Sequence, residues 1–440
     1  MPLETCTRWI VPALVMAALS PTTAAHAAAP TTLRCGVLID GRTAVPRRDV
    51  LITVADGRIV AVAPAVAGGA AQIDRSADTC LPGLIDAHAH LLIATDDYQV
   101  DHVERSSGFK ALRGLHVAQA LLRSGWTTLR VVGDADVHYA HLDVRSAIDA
   151  GLFVGPRITG AGHYLSITGG GGDLNFVAPE QHVVADGLVV DGVDALRRAV
   201  RTEVRHGSDW IKVLASGAMM SSGNDPASAH YSPEELRAIV EEATRLGVPV
   251  AAHAHSAQGL RAAVLAGVRT IEHGTFVDDE GLRLMAERKV FLVPTLYVGD
   301  YYLEEQPHSE AQAKMNALTR QYRAQHVDAV RKALRAGVRV GVGTDYVGFP
   351  PAQGVRELKL LVEAGMTPMQ AIQAATRVNA ELLRWQDRIG TVEPGKLADI
   401  IAVRGDPLQD LAVLERVGFV MLGGEVVCPG NGCPATQTSP

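Results

Sequence analysis

The chain has 440 residues, of which 47% are hydrophobic and 20% are charged, and its formal net charge is −7. These values are ordinary for a globular protein, so the composition excludes a wholly disordered, collagen-like or coiled-coil chain. The mildly acidic balance also excludes the basic surface that nucleic-acid binding requires. Beyond residue 27, no segment is apolar over the roughly 18 residues that a membrane helix needs.

The first 27 residues have the features of an export signal. Arg8 precedes an apolar run over 9–19, and Ala-His-Ala at 25–27 matches the small-residue pattern of a cleavage site. The apolar run is too short to span a membrane comfortably, which argues against an anchor. We therefore predict that residues 1–27 are a cleavable signal peptide and that the protein is secreted across the inner membrane into the periplasm.

Four cysteines follow this segment, namely Cys35, Cys80, Cys428 and Cys433. An even number in an oxidising compartment permits two disulfides, in any of three pairings. Cys428 and Cys433 are close enough in sequence to pair across a turn, and Cys35 and Cys80 would then pair with each other. Free thiols are the alternative. A cysteine metal site is not expected, because no cysteine stands with histidine at zinc-finger spacing.

Both ends of the mature chain predict short β-strands. Apolar runs of strand length stand at 50–54, 58–62, 398–403 and 417–422. Asp56-Gly57 separates the first two runs, which is typical of a β-hairpin. We predict that the segments 28–82 and 388–440 pair into one small composite β domain.

Between these segments, strand candidates alternate with helical stretches. The strand candidates are 84–91, 127–132, 157–161, 210–215, 249–255, 270–273, 290–295 and 339–345. The helical candidates are 109–124, 191–206, 232–246, 256–266, 278–288 and 311–336, followed by 353–364 and 367–384. Eight β/α units over about 260 residues predict an α/β fold with a (β/α)8 TIM barrel over 83–387.

Polar residues at the ends of the predicted strands form the candidate site, because the active site of such a barrel lies at the C-terminal ends of its strands. His88 and His90 end the first strand, and residues two apart point to the same side, so both can bind one cation. Later strands end in further candidate ligands, namely His253, His255, His273 and Asp345. Lys212 lies inside the fourth strand, where its charge must be neutralised. Together these residues predict a metal site rather than core packing.

Several motifs resemble those of the amidohydrolase superfamily of metal-dependent hydrolases, namely 81–90, 271–274, 343–345 and 390–400. The resemblance covers essentially the whole mature chain and implies a barrel with a composite β-sandwich formed by both termini.

The resemblance also implies a ligand set for two divalent metal ions. His88, His90 and Asp345 would bind the more buried ion. The second ion would be bound by His253 and His273, with His255 as the rival of His253. Lys212 would be N-carboxylated and bridge both ions. Such ligands suit Zn²⁺, and Mn²⁺ or Co²⁺ remain compatible.

The mechanism that this site implies is attack by a metal-activated hydroxide on an amide carbonyl. Asp345 would take the proton of the water and deliver it to the leaving nitrogen. Tyr231 is expected to polarise the carbonyl, His163 to meet a substrate carboxylate, and Tyr297 to orient the substrate. An ordinary packing role is the alternative for each of these three residues. The substrate preference is expected to depend on loops, such as 92–108 and 297–312.

Within the superfamily, the segments 252–256, 266–274 and 163–173 resemble Xaa-Pro and Xaa-Arg dipeptidases and ochratoxin-hydrolysing amidases. The resemblance implies a carboxypeptidase-like hydrolase of amides whose leaving part is an amino acid. It also implies a homo-oligomer, commonly an octamer.

The alternatives are a cyclic-amide hydrolase similar to imidazolonepropionase and a non-catalytic metal-binding relative. Deamination is disfavoured, because Ser256 rather than a glutamate follows His253 at the third position and because Lys212 is present.

Overall fold

The computed structural model describes residues 29–66, 69–94, 97–221, 224–307 and 310–429. The signal peptide predicted at 1–27 lies outside these residues, as does Cys433, so the cleavage and the pairing of Cys433 with Cys428 stay predictions. Among the helices that the structure describes, none combines the length and the apolar composition needed to cross a membrane.

The strands in chain order are β1 (Thr31–Leu38), β2 (Arg47–Ala55), β3 (Arg58–Pro64), β4 (Ile73–Pro82), β5 (Leu84–Ala89), β6 (Trp126–Val132), β7 (Arg157–Ala161), β8 (Tyr164–Ser166), β9 (Leu188–Val189), β10 (Ile211–Leu214), β11 (Val250–Ala254), β12 (Thr270–His273), β13 (Phe291–Val293), β14 (Ile400–Val403), β15 (Val417–Leu422) and β16 (Glu425–Cys428).

The helices are α1 (Tyr98–Glu104), α2 (Ser107–Arg123), α3 (Ala140–Asp149), α4 (Val193–Arg205), α5 (Pro233–Arg245), α6 (Ala257–Ala266), α7 (Asp279–Arg288), α8 (Leu296–Glu304), α9 (Glu310–Arg335), α10 (Arg356–Glu363), α11 (Pro368–Gln373) and α12 (Asn379–Leu382). Shorter helical turns lie at Pro351–Val355, Ala374–Val378 and Leu411–Arg416.

Strands from both ends of the chain form one sheet, in the order β16-β15-β14-β4-β1-β2-β3. The two ends meet where β14 runs antiparallel to β4, with Ile400 opposite Pro82. Asp56 and Gly57 connect β2 to β3 with φ values of 50° and 73°, the left-handed conformation that a tight hairpin turn requires. A disulfide joins Cys35 on β1 to Cys80 on β4. The predicted pairing of the two ends and the Cys35–Cys80 bond are confirmed.

The central strands pair in parallel, in the orders β5-β6-β7 and β13-β12-β11-β10-β8-β9. Helices follow most of them along the chain, so the α/β class is confirmed. The eighth predicted strand, 339–345, is present only as isolated parallel bridges. Val340 pairs with Leu292, and Tyr346 pairs with Ala89. The backbone N–H of Asp345 donates to the His88 carbonyl at 2.7 Å, which fixes Asp345 beside β5.

The helix start predicted at Ser232 is confirmed in atomic detail. The Ser232 hydroxyl accepts from the Glu235 N–H, and the Glu235 carboxylate accepts from the Ser232 N–H, which completes a capping box. Pro233 occupies the first turn, where its missing N–H costs nothing. The buried side of α5 carries Leu236 and Ile239, three residues apart on one face.

The expectation that 92–108 and 297–312 are loops is wrong, because α1 lies within the first range and α8 covers much of the second. Both helices begin without a side-chain cap, at Asp97 and Thr295. Thr295 also has a φ of 54°, so the chain enters α8 from a left-handed residue. Asp97 and Thr295 are residue types that usually cap helices, but neither side chain makes the capping bond here, so the sequence signal is weak at both helix starts.

Candidate metal centre

The predicted ligands converge at the C-terminal ends of the parallel strands. They are His88 on β5, His90 directly after it, Lys212 on β10, His253 on β11, His255 directly after it, His273 on β12, and Asp345. Each is at most 8% exposed, and all of them line one cavity of about 150 Å³. The structure therefore brings together the whole set that the sequence singled out.

Two overlapping triads of donor atoms share His273. The ligand atoms of His253, His255 and His273 lie within 4.8 Å of one another, and so do those of His88, His273 and Asp345. Asp345 Oδ1 lies 3.5 Å from His88 Nε2 and 3.2 Å from His90 Nε2. His255 and His253 thus belong to the same triad, and which of them binds the second ion stays open.

Hydrogen bonds behind the imidazoles orient their rings. His88 Nδ1 donates to Glu272 Oε2 at 2.8 Å, and His90 Nδ1 donates to the Gly133 carbonyl at 2.7 Å. His273 Nδ1 is bonded to Thr295 Oγ1 at 2.7 Å. In each of these three rings, Nε2 can therefore bind a metal ion. A hydrogen bond at the other ring nitrogen is typical of metal-binding histidines.

Sequence reasoning assigned no role to Glu272 or to Arg130, although both are fully buried. Arg130 Nη2 donates to both carboxylate oxygens of Glu272, at 2.8 and 2.9 Å. Burial alone would raise the pKa of Glu272, but Arg130 and His88 lower it to about 2. An ionised carboxylate therefore orients His88. The available signal was a charged residue inside the apolar run of β6, which needs a buried partner.

The imidazoles are held in the neutral form that binds metal. Burial lowers the pKa of His88 to about 4 and that of His253 to about 3, and it lowers the pKa values of His255 and His273 well below the ordinary range. His90 is the exception, since Asp345 outweighs burial and raises its pKa. Neutral imidazole and carboxylate oxygen are suitable donors for divalent transition metals, so the residues fit a metal centre.

Burial also lowers the pKa of Lys212 to about 8. A measurable fraction of this amine is therefore neutral near pH 7, which is uncommon for lysine. Lys212 lies on β10 with its side chain in the cavity, among the candidate ligands.

The structure does not bring the three predicted substrate-binding residues into the cavity. His163 Nδ1 is bonded to Glu203 Oε1 at 2.9 Å. The Tyr231 hydroxyl donates to the Val190 carbonyl at 3.0 Å, and the Tyr297 hydroxyl donates to Gln353 at 2.6 Å. None of the three is among the described residues that line the cavity, because each polar group is directed to a partner elsewhere.

Other tyrosines line the cavity instead, among them Tyr98 and Tyr164. Burial raises the pKa of both hydroxyls, so they remain protonated at neutral pH. Much of the remaining wall is apolar, with side chains such as Leu214, Met219, Met220, Val298 and Met315.

Residues 79–427 match the family model described as the amidohydrolase family. The chain is 34% identical over 432 residues to the ochratoxinase of Aspergillus niger, with 90% of this chain and 86% of that protein covered. It is also 28% identical over 423 residues to the imidazolonepropionase of Mesorhizobium japonicum, with 87% and 91% covered.

Solved structures show the same fold. A Xaa-Pro dipeptidase with methionine bound in its active site has a TM-score of 0.84 and 33% identity, with 90% of this chain and 99% of that one covered. A prolidase complexed with N-methylphosphonate-L-proline has a TM-score of 0.82 and 32% identity, with 91% and 100% covered. The structure of A. niger ochratoxinase has a TM-score of 0.79 and 30% identity, with 92% and 99% covered.

Proposed function

This chain belongs to the amidohydrolase family of metal-dependent hydrolases, and we propose that it cleaves amide bonds to a C-terminal amino acid at a centre of two metal ions. The observation that carries this proposal is the buried convergence of imidazoles, Lys212 and Asp345 in one cavity. Buried polar groups are costly unless they are paired or bind metal, so a set of this size at strand ends favours a catalytic centre over core packing.

In the proposed centre, His88, His90 and Asp345 hold the first ion, and His253 and His273 hold the second. The contacts of Asp345 Oδ1 with His88 Nε2 and His90 Nε2 support the first group, and the triad that contains both His253 and His273 supports the second. Lys212 is proposed to be N-carboxylated and to bridge the ions, since its lowered pKa supplies the neutral amine that adds carbon dioxide with loss of a proton. Imidazole and oxygen donors favour Zn²⁺.

Bound there, the two ions would supply an activated water and polarise the scissile carbonyl. Asp345 Oδ1, which faces His88 Nε2 and His90 Nε2, accepts the proton of the water and returns it to the leaving nitrogen. In the cavity wall, the Tyr164 hydroxyl donates to Asp186 Oδ2 and the Tyr98 hydroxyl is bonded to Ser221 Oγ, so these bonds hold both rings in place beside the substrate. The apolar side chains of that wall accommodate the acyl part.

The relatives support amides of amino acids as the substrate class. The relatives include a dipeptidase with bound methionine, a prolidase with a proline analogue, and an ochratoxinase. We therefore propose dipeptides, N-acyl-amino acids and ochratoxin A, an aryl amide of phenylalanine, as candidate substrates. The similarity to imidazolonepropionase favours cyclic-amide hydrolysis as the second candidate. Lys212 argues against that candidate, because a bridging lysine implies two ions.

We also propose that the parallel strands close into one (β/α)8 barrel. The bridges of Val340 to Leu292 and of Tyr346 to Ala89 support closure on one side. On the other side, the Trp210 N–H donates to the Gly160 carbonyl at 3.1 Å, which links the start of β10 to β7.

Export to the periplasm and assembly into a homo-oligomer such as an octamer complete the proposal. They rest on the sequence over 1–27 and on the family resemblance. N-terminal sequencing of the protein from cell fractions tests the first, and light scattering of the purified protein tests the second.

The function is tested with purified, metal-analysed protein and a library of N-acyl-amino acids, Xaa-Pro and Xaa-Arg dipeptides, ochratoxin A and cyclic amides, with products identified by mass spectrometry. Release of a free C-terminal amino acid at about two ions per chain supports the proposal. Ring opening alone, with one ion per chain, favours the second candidate.

Lys212→Ala is expected to abolish both metal occupancy and hydrolysis. Lys110→Ala is the control for the loss of a buried lysine, because Lys110 pairs with Asp136 at 3.4 Å and donates to the Ala135 carbonyl away from the cavity; its loss should lower stability but leave the metal content unchanged. Hydrolysis by the Lys212 variant at wild-type metal content would contradict the two-ion model.

A further inference from the structure

One wall of the cavity is built by α8 and α9, the helices that follow β13. On α9 the cavity-lining residues are spaced three or four apart and form one face, namely Met315, Thr319, Tyr322, Arg323, His326 and Val327. His326 Nε2 donates to the His273 carbonyl at 3.0 Å. This face of α9 therefore lies directly against the candidate metal centre.

An ion pair between Asp300 on α8 and Arg323 on α9 lies in this wall. Arg323 donates from Nη2 to Asp300 Oδ2 at 2.7 Å and from Nε to Asp300 Oδ1. Apart from Lys212 and Asp345, these two are the only lysine, arginine or acidic side chains among the described residues that line the cavity. Arg323 is 40% exposed and Asp300 only 19%, so the guanidinium is the more accessible member.

The pair orients Arg323 but leaves part of it available. A guanidinium has five N–H groups in a rigid plane, and Asp300 occupies the edge formed by Nε and Nη2. The edge that includes Nη1 is free to bind a second carboxylate. Because the surrounding wall is largely apolar, a carboxylate that enters it needs a fixed cationic partner.

We propose that Arg323 binds the carboxylate of the leaving amino acid and thereby selects amides that carry a free C-terminus. The inference rests on the proposed function and adds the residue that determines its substrate class. Arg323 precedes His326 by three residues, which places their Cβ atoms about 5–6 Å apart on the same helix face. Since His326 contacts the backbone of His273, Arg323 stands one helical turn from a residue that touches the metal centre, in the same cavity.

A purely structural role for the pair predicts a different outcome. If Asp300 and Arg323 only tie α8 to α9, loss of either partner should harm all substrates equally. If Arg323 binds the substrate carboxylate, its loss should affect acids more than neutral amides, and loss of the charge of Asp300 should not. The two roles are therefore distinguished by which substrates are affected, and not by how far the activity falls.

The experiment compares N-benzoyl-L-phenylalanine with N-benzoyl-2-phenylethylamine, the same amide without the carboxylate. Arg323→Gln is expected to lower the acid-to-neutral ratio of kcat/KM by about 10- to 100-fold, mainly through the KM of the acid. Arg323→Lys should recover part of the ratio, and Asp300→Asn should keep it within about threefold, since the guanidinium remains. An unchanged ratio in Arg323→Gln overturns the proposal.

Binding of the amino-acid product separates this inference from the proposed function. Calorimetry of the metal-loaded protein with L-phenylalanine and with 2-phenylethylamine, which share the ammonium group, measures the carboxylate contribution directly. Arg323→Gln should weaken the binding of L-phenylalanine by about tenfold or more and leave the binding of 2-phenylethylamine unchanged. If the wild type releases an amino acid from no amide of the library, the proposed function fails, whereas equal weakening of both ligands, or of neither, refutes the role of Arg323.

Discussion

Two buried glutamates, whose pKa values shift in opposite directions, provide a test of how the centre is supported. Glu272 and Glu357 are both fully buried. Glu272 is paired with Arg130, and its pKa falls to about 2. Glu357 accepts the Tyr297 N–H at 2.7 Å, and burial raises its pKa to about 8. Glutamine has nearly the same shape and no charge, so we expect Glu272→Gln to be strongly destabilising and Glu357→Gln to be tolerated.

The expected magnitude follows from the pKa values. For Glu272, the pKa falls from 4.5 to about 2, and at about 1.4 kcal/mol for each tenfold change in acidity this gives about 3–4 kcal/mol at neutral pH. Removing one partner of a buried ion pair costs about 3–5 kcal/mol of folding free energy, which is a similar amount. Because the folded-state pKa is lowered, this stabilisation is present above about pH 4.5 and is lost as the pH falls toward 2.

The pH dependence has the opposite sign for Glu357, because its pKa is raised in the folded protein. Its favourable contribution is present below about pH 4.5 and declines as the pH rises through about 8. Glu357→Gln should therefore gain stability relative to the wild type between about pH 5 and pH 8. The two variants thus differ in size of effect and in the direction of their pH dependence.

The assay is urea unfolding of the metal-loaded proteins at several pH values, followed by tryptophan fluorescence, with metal content measured in parallel. Glu272→Gln should also bind metal about 10- to 100-fold more weakly, because His88 loses the carboxylate that orients it. A wild-type unfolding midpoint and metal content in Glu272→Gln would refute the reasoning. So would an equal loss of stability in Glu357→Gln at pH 7.

Two further predictions concern the terminal sheet and Tyr231. Replacing both Cys35 and Cys80 with alanine removes a crosslink over 45 residues, which should cost about 4 kcal/mol in unfolding experiments. Dithiothreitol should then lower the unfolding midpoint of the wild type more than that of the double variant. Tyr231→Phe should cost about 1 kcal/mol, because it loses only the bond to the Val190 carbonyl, and should leave kcat/KM unchanged. A fall in kcat/KM above about 100-fold would instead assign the Tyr231 hydroxyl to catalysis.

The candidate ligands could be predicted because their signals are local. His88 and His90 are two residues apart at the end of a strand, so their shared direction follows from the strand period alone. His253 and His273 end successive strands, and parallel strands end at the same edge. Knowledge of the strand order was therefore sufficient to expect these side chains together, before any contact was known.

The supporting and substrate-binding residues could not be predicted in this way. Arg130 and Glu272 are separated by 142 residues and meet only because β6 and β12 both face the interior. Tyr231 directly precedes the capping residue of α5, but its position in the sequence does not reveal that its hydroxyl is bonded to Val190. Proximity to a strand end predicts the location of a residue but not the partner of its polar group.

The location of Arg323 explains why specificity is harder to predict than the metal centre. The candidate ligands lie on or directly after strands, whose direction is fixed by the parallel pairing of the sheet. Arg323 lies on α9 and is oriented by Asp300 on α8, a helix that begins at the left-handed Thr295 without a recognisable cap. On the proposed function, changes within α8 and α9 would alter the leaving groups that are accepted while the ligands remain in place. The chemistry and the selectivity of this site therefore depend on different structural elements, and only the first follows from strand pattern.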